Sequence, residues 1–273
     1  MTATSEAERE IEEIEREEEA TYVAPTEREG PWLRDNAPLL YTPILVVVSS
    51  LLLWWYVSSA DMTFQQRSAL DWSAKLQPQI IEHVELTLWS TLIVLVIAIP
   101  LGILLTRPRF RGLAGPFLTV ANIGQSVPAY GLFVLFFMWI GTGTFTAVLA
   151  LAFFTILPVL RNTMVGLDQV DRAVIEAGRG MGLTKGQALR QIELPLSVPI
   201  MLAGVRTALV INVGMAALAF LIGGGGLGIT INSGLSNQQD LVIITGAALT
   251  AILALTIDWL GAVAERILRP KGL

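Results

Sequence analysis

The chain alternates long apolar runs with short polar segments. Six apolar runs lie near residues 40–60, 86–106, 115–140, 144–163, 197–222 and 241–264. A helix of about 20 residues crosses the hydrocarbon core of a bilayer. The pattern therefore predicts an all-α membrane protein with about six transmembrane helices. It also predicts four segments: an acidic tail (1–36), a first transmembrane helix with an external segment (37–85), a core (86–265) and a basic tail (266–273).

Basic residues predict the orientation of these helices. They collect in alternate polar segments, as Arg107, Arg109, Arg111, Arg161, Arg172, Arg179, Lys185, Arg190, Arg266, Arg269 and Lys271. Because cytoplasmic loops of membrane proteins are enriched in Lys and Arg, these segments and both termini are predicted to be cytoplasmic. Four tryptophans then lie near the predicted outer ends of the helices. We interpret them as an aromatic belt at the membrane interface rather than as an aromatic cage that binds a quaternary ammonium cation.

Composition narrows the chemistry. The chain is 53% hydrophobic, contains no cysteine and has one histidine, His83. This predicts no metal site, no catalytic residues and no nucleic-acid partner. The net charge of −5 comes from nine glutamates and two arginines between Glu6 and Glu19. That tail is predicted to be a solvated arm, with a salt-sensitive regulatory arm as the alternative. The start lacks a basic segment followed by an apolar one, so no cleaved signal peptide is expected.

One charged stretch between the fourth and fifth runs has its own pattern. The sequence EAGRGMGLTKGQALRQIELP predicts two short helices joined at a glycine break. Asp171 is placed to cap the first helix, and Thr184 with Gln187 has the spacing of a capping box for the second. Pro195 is expected to end that second helix. The break itself comes from Gly178, Gly180 and Gly182.

This stretch resembles the EAA loop of binding-protein-dependent ABC importer permeases. The likeness rests on a gapped pattern, Glu176-Ala177, Gly182, Ile192 and Leu194-Pro195. Gly178 stands where the family pattern usually has a second alanine. The likeness covers roughly residues 80–265, and three neighbouring motifs look most like the glycine betaine/choline/carnitine (osmoprotectant) subfamily. They are Arg161-Asn162-Thr163, the run from Ala203 to Ala208, and the run from Gly223 to Gly228.

The resemblance implies a type I-like permease bundle whose coupling loop, residues 168–196, docks on an ABC ATPase subunit. The implied coupling residues are Glu176, Ala177, Gly178, Gly182, Leu183, Ile192, Leu194 and Pro195. ATP and Mg would sit on the ATPase, and no cofactor on this chain. An extracytoplasmic substrate-binding protein and a second permease copy, identical or paralogous, complete the implied complex in the cell membrane.

The third apolar run is the least lipid-like. It contains Asn122, Gln125, Ser126 and Pro128, and polar groups at this depth are tolerated only against protein or a water-filled cavity. Two readings stay open, namely hydrogen bonds that hold the bundle together and a lining for a translocation pathway. The next side chains along the same pathway are Tyr130 and Phe133.

Arg206 and Asp258 are the charged residues inside the last two runs, both in the cytoplasmic third. An unpaired charge in hydrocarbon is costly, so a mutual pair or snorkelling is expected. A role in closing the inner end of the bundle is favoured over a substrate site.

The run GGGGLG from Gly223 to Gly228 is not a phosphate-binding loop, because no Lys-Ser/Thr follows its last glycine. It is predicted to be a flexible outer loop that receives the binding protein or forms part of an outer gate. ATP hydrolysis is therefore assigned to a partner.

The predicted function is the permease subunit of an ATP-driven importer, moving glycine betaine, choline or carnitine inward by alternating access. The cargo follows from the resemblance alone. Alternatives are a permease for an amino acid or other small polar solute, an intramembrane enzyme and a membrane anchor. The enzyme is disfavoured because no nucleophile–base pair or metal constellation is evident.

Overall fold

The computed structural model describes the backbone of residues 32–268 and the side chains of residues 39–268, and its regular elements there are all helical. The chain divides into a unit of residues 1–38 and a unit of residues 39–273. Residues 1–31 and 269–273, with most of the predicted acidic and basic tails, lie outside the described part. The helices are α1 (Trp32–Ser58), α2 (Phe64–Ala69), α3 (Gln77–Thr106), α4 (Ala114–Ser126), α5 (Ala129–Ile140), α6 (Thr144–Asp168), α7 (Arg172–Gly180), α8 (Lys185–Ala188), α9 (Leu194–Ala216), α10 (Gly228–Ser236) and α11 (Asp240–Leu268).

The membrane-spanning pattern is confirmed, with one change. Among the described residues, five stretches are long and apolar enough to cross a bilayer: Leu39–Ser58, Trp72–Thr106, Thr144–Asp168, Lys185–Ala216 and Asp240–Leu268. Arg111–Ser126, which contains α4, and α5 pass the same test only as a pair bent by 102° at their junction; counted together as one broken span, they would be the sixth. The all-α fold class predicted from the sequence is therefore correct.

The prediction of one continuous helix over 115–140 is wrong. Helix α4 ends at Ser126, Val127 is extended (φ −69°, ψ 130°), and α5 begins at Ala129. Pro128 explains the break, because proline lacks an N–H and disfavours helical geometry in the residue before it. The polar run at this position marks a break rather than a weak point in a straight helix.

Two predicted boundaries also differ from the structure. The helix predicted to start at residue 86 already starts at Trp72, with a π-helical turn that leads into α3, so much of the 61–85 segment that was predicted to be external is helical. The Asp71 carboxylate caps this start by accepting the Ala74 N–H at 2.7 Å. The second difference is the end of α9, which stops at Ala216, before the predicted limit of residue 222.

Pro195 does not end a helix. Helix α8, a π-helical turn (Leu189–Glu193) and α9 form one continuous stretch, Lys185–Ala216. Pro195 lies in the first turn of α9, where a missing N–H is tolerated. The coupling loop is therefore joined rigidly to a membrane-spanning helix.

Helices α3, α6 and α9 form the centre of the bundle and approach closely at small residues. A Cβ on Gly102 of α3 would lie 2.7 Å from Thr163 of α6, and one on Gly204 of α9 would lie 2.6 Å from Asn162. Such close contacts at glycine are typical of membrane helix packing. By contrast, only 6% of the α1 span Leu39–Ser58 is buried.

Candidate coupling and translocation sites

The coupling segment, defined here as residues 168–196, contains the two predicted short helices. The Asp171 carboxylate accepts the Ala173 N–H at 2.8 Å and caps α7, as predicted. The predicted capping box is also present at α8. The Thr184 N–H donates to Gln187 Oε1 at 2.8 Å, and the Gln187 N–H donates to Thr184 Oγ1 at 3.3 Å. Both ends of this water-facing segment are thus stabilised locally.

The turn between α7 and α8 depends on a left-handed residue. Gly182 has φ +98°, a conformation that residues with a Cβ rarely adopt. The N–H of Met181 donates to the Ala177 carbonyl at 3.0 Å, and the N–H of Leu183 donates to the Gly178 carbonyl at 3.2 Å. These bonds satisfy the last carbonyls of α7 and terminate the helix.

The predicted coupling residues fall into two groups. Glu176, Ala177 and Gly182 are exposed. The others hold the segment together: Gly178 is buried against Ile192 and Leu183, and Leu194 and Pro195 are half-buried in α9. The absence of a side chain at Gly178 therefore leaves room for the Ile192 side chain.

Sequence reasoning missed one residue of the exposed face, Met181. Val174 is 44% exposed and Met181 is 81% exposed. Val174 and Ala177 stand at positions i and i+3 on one face of α7, and Met181 follows at the C-terminal cap of that helix. An apolar side chain as long as Met181 in a charged, water-facing loop was the available signal, since it makes a surface that water does not favour.

A cavity of about 710 Å³ lies between the coupling segment and the loop after α3. Glu176 lines it. Two ion pairs are formed by residues that line this cavity. Arg107 Nη2 lies 2.6 Å from Glu193 Oε2, and Arg111 Nη2 lies 3.4 Å from Asp168 Oδ1. Both ends of the coupling segment are thereby tied to the segment between α3 and α4, a connection that the sequence did not suggest.

The predicted pathway residues cluster at the α4–α5 break. Asn122, Ser126, Pro128 and Tyr130 are exposed on the chain surface there. Gln125 is half-buried, and its side-chain amide donates to the Phe154 carbonyl of α6 at 3.0 Å.

Phe133 does not fit the prediction. Its side chain is fully buried in an apolar cluster with Leu86 and Leu151. It therefore contributes to the core rather than to a pathway surface.

Arg206 and Asp258 lie in a two-point ion pair. Arg206 Nε is 2.6 Å from Asp258 Oδ1, and Arg206 Nη2 is 2.7 Å from Asp258 Oδ2. Arg206 Nη1 also lies 3.9 Å from Glu265 Oε2. A planar guanidinium held by both carboxylate oxygens is a strong, directional contact between α9 and α11. Its role in transport stays a prediction.

The family follows from comparison with known proteins. Residues 98–271 match the model of the binding-protein-dependent transport system inner membrane component family. The chain belongs to this family. It is therefore a permease, a membrane-embedded transport subunit with several spans, and not an enzyme.

Curated relatives of the permease are themselves permeases. A choline transport system permease protein of Bacillus subtilis is 41% identical over 192 residues, covering 70% of this chain and 88% of the relative. A carnitine transport permease protein of Listeria monocytogenes is 40% identical, covering 69% and 84%. An osmoprotectant import permease protein of Salmonella typhimurium is 42% identical, covering 69% and 80%.

The fold of the permease is also found in a solved transporter. An inward-facing methionine ABC transporter structure has a TM-score of 0.65 and 26% sequence identity. The match covers 71% of this chain and 96% of the solved chain. The permease bundle is therefore of the ABC importer type.

The glycine run of the permease is not a flexible loop, contrary to the prediction. We call residues Gly223–Gly228 the outer glycine loop, after the side of the membrane predicted for it. Its Gly226 N–H donates to Glu82 Oε2 at 2.9 Å, and the Leu227 N–H donates to His83 Nδ1 at 3.3 Å. The loop is therefore held against α3 by two adjacent side chains.

His83 also contacts the end of α9. Its Nε2 lies 2.8 Å from the Val213 carbonyl, and its side chain is fully buried. Since Nδ1 accepts from Leu227, Nε2 carries the proton and donates to Val213. His83 thus connects α3, to which it belongs, with the end of α9 and with the outer glycine loop. Its partner in that loop, Leu227, is 144 residues away in sequence. A single histidine in an apolar chain was the available signal.

Proposed function

We propose that this permease imports a small quaternary-ammonium solute, such as choline, carnitine or glycine betaine, by alternating access. In this proposal two ABC ATPase subunits hold ATP and Mg on the cytoplasmic side. An external substrate-binding protein delivers the solute, and a second permease copy, identical or paralogous, completes the pathway. Both termini and the coupling segment face the cytoplasm.

The observation that carries the proposal is the coupling segment. It is capped at both helices, closed by Gly182, and exposes Val174, Ala177 and Met181 in a charged surrounding. An exposed apolar face of this kind is typical of a protein–protein contact. The ATPase is the partner that the family name and the position of the segment both favour.

The geometry supports a route that transmits movement of the ATPases to the membrane-spanning helices. The coupling segment continues without a break into α9, which carries Arg206. The Arg107–Glu193 and Arg111–Asp168 pairs connect the same segment to the loop after α3. A displacement of α7 would therefore reach two spanning helices together.

We assign the pathway surface to the α4–α5 break and the inner closure to the Arg206–Asp258 pair. Asn122, Ser126 and Tyr130 support the first assignment, because they are exposed where the span is broken. Irregular backbone at membrane depth is tolerated where it lines a cavity. An ion pair that ties α9 to α11 supports the second assignment, since it must break or move if those helices separate.

The cargo class rests on the relatives. The names of permeases that are 40–42% identical to this chain specify choline, carnitine or osmoprotectants. The second candidate, an amino acid, is favoured by the likeness to the methionine transporter, but at 26% identity.

Uptake of labelled glycine betaine tests the proposal in cells that lack their own betaine importers. The cells express this chain with its ATPase and binding protein, and unlabelled choline, carnitine or methionine competes. Uptake that choline and carnitine reduce is expected. Uptake reduced by methionine alone would replace the quaternary-ammonium cargo by an amino acid.

Glu176→Lys tests the coupling role in the same cells. Reversing this exposed charge is expected to abolish co-purification of the ATPase and uptake, while the chain still inserts in the membrane. Gln191→Lys is the matched control, because Gln191 is exposed in the same segment but outside the cavity. Normal co-purification with Glu176→Lys would overturn the coupling assignment.

A further inference from the structure

Pro158 leaves an unpaired backbone carbonyl in the middle of α6. Proline has no N–H, so the carbonyl four residues earlier, that of Phe154, lacks its intrahelical donor. In a membrane interior, such a group must find another partner. Gln125 is that partner: its Nε2 donates to the Phe154 oxygen at 3.0 Å.

The backbone of α4 is positioned for this bond. A Cβ on Gly124 would lie 2.9 Å from the ring of Phe153, so α4 packs closely against α6 at this residue. Two successive residues of α4, Gly124 and Gln125, thus contact two successive residues of α6. One residue later α4 ends, and the chain turns by 102° into α5.

The amide of Gln125 differs from that of Asn122, one turn earlier. Asn122 is exposed, and its side chain has no hydrogen-bond partner among the described residues. The donor of Gln125, in contrast, is already used within the protein. One N–H of the Gln125 amide is therefore committed to α6, although the residue belongs to the same polar run.

A second proline in the permease also leaves a backbone carbonyl that a side chain of another helix satisfies. Pro43 in α1 cannot donate to the Leu39 carbonyl, and the indole N–H of Trp259 in α11 donates to that oxygen at 3.1 Å. In both cases a side chain from another helix replaces the missing backbone donor. The second case shows that such a contact is not peculiar to the polar run of α4.

We propose that Gln125 is a positioning residue that holds the broken α4–α5 span against α6 beside Pro158. The bond uses a carbonyl that α6 itself cannot satisfy, so it joins the two helices without competing with the backbone ladder. Asn122, Ser126 and Tyr130 are thereby held at the break. The inference rests on the proposed function for its effect on transport, but not for the bond itself.

A double-mutant cycle tests this inference. Pro158→Ala restores an N–H that pairs with the Phe154 carbonyl, so Gln125 is expected to become dispensable in that background. In the wild-type background, Gln125→Met keeps the length of the side chain and removes the donor. We expect it to lower the maximal uptake rate about tenfold, with the half-saturating solute concentration unchanged. With Pro158→Ala present, the further loss should be under about twofold.

Asn122→Met is the matched control, because it lies one turn away and its amide is free of protein partners. Its effect is expected to be the same with and without Pro158→Ala. Equal effects of Gln125→Met in the two backgrounds, or a rise in the half-saturating concentration, would overturn the inference.

Melting temperatures of the four purified complexes give a readout that does not depend on the cargo. Gln125→Met should lower Tm by about 2–4 °C only where Pro158 is present. This result would support the inference even if the wild-type complex took up no quaternary amine, so the two proposals fail separately. Equal shifts in Tm in both backgrounds would count against it.

Discussion

The permease has two glycine-rich turns, and they differ in what surrounds them. In the outer glycine loop, a Cβ on Gly224 would lie 2.6 Å from Ala147, and one on Gly228 would run into the backbone carbonyl of Ala217. In the coupling segment, Gly180 and Gly182 have nothing within 4 Å of a Cβ. The first turn is packed inside the protein, and the second is open.

Glycine has two uses here: both turns contain glycines with positive φ, and only the outer glycine loop also needs glycine for close packing at Gly224 and Gly228. In the outer glycine loop it lets backbones touch, which is why Glu82 and His83 reach the loop N–H groups. In the coupling segment Gly182 supplies a left-handed turn and leaves the surface free for a partner. We therefore expect alanine to disrupt the structure where a backbone atom blocks its Cβ, as at Gly228, and to be tolerated where the Cβ meets open space, as at Gly180.

Gly228→Ala is the change with the largest expected effect. The added methyl meets the Ala217 carbonyl, a backbone group that cannot rotate away. Overpacking costs about 1–3 kcal/mol and more where backbone must move, so we expect little folded permease in the membrane. Gly180→Ala is the control and should change the unfolding free energy by less than about 1 kcal/mol. Comparable yields and melting temperatures for both variants would show that the outer loop is not close-packed.

His83→Phe ranks second. It keeps a ring in the buried site but leaves the Leu227 N–H and the Val213 carbonyl without partners. An unsatisfied buried group costs about 1–3 kcal/mol, so we expect a loss of about 2–4 kcal/mol, measured by thermal unfolding in detergent. Trp89→Phe, on the same helix but 58% exposed, is expected to have a small effect. If both variants unfold alike, His83 does not hold the loop.

Thr184→Ala has a smaller, local effect in the open turn. It removes the side chain that accepts the Gln187 N–H, and loss of a helix cap costs about 1 kcal/mol. We expect faster amide exchange in Lys185–Ala188 without a change in the melting temperature of the bundle. Thr119→Ala is the control, because its hydroxyl bonds only a carbonyl of its own helix among the described residues. Unchanged exchange in α8 would show that the cap does not stabilise the segment.

Local patterns were predictable from the sequence, and contacts between distant residues were not. The apolar runs, the Asp171 cap and the Thr184 capping box each depend on neighbours within a few residues. His83 and the outer glycine loop meet across 144 residues, so spacing carries no information about their contact. Predicting the Gln125 bond from the sequence would have required two facts at once, the polar residue in α4 and the proline in α6.

The proline errors have a common physical origin. Pro128 breaks a span because the residue before it is extended, whereas Pro195 is accommodated in the first turn of a helix after a π-helical turn. The residue type is the same, and only the preceding backbone decides the outcome. Sequence alone does not reveal that backbone.

Gly178→Ala gives the smallest expected effect and the sharpest contrast with Gly228→Ala. A Cβ on Gly178 would touch the end of the Ile192 side chain, which is free to change rotamer, and not a backbone atom. Alanine favours a helix over glycine by about 1 kcal/mol, which offsets the cost of moving Ile192. We therefore expect the unfolding free energy to stay within about 0.5 kcal/mol of wild type and the ATPase to co-purify normally. A loss of stability as large as that of Gly228→Ala would mean that the coupling segment is close-packed as well, and that its open surface is not what distinguishes the two turns.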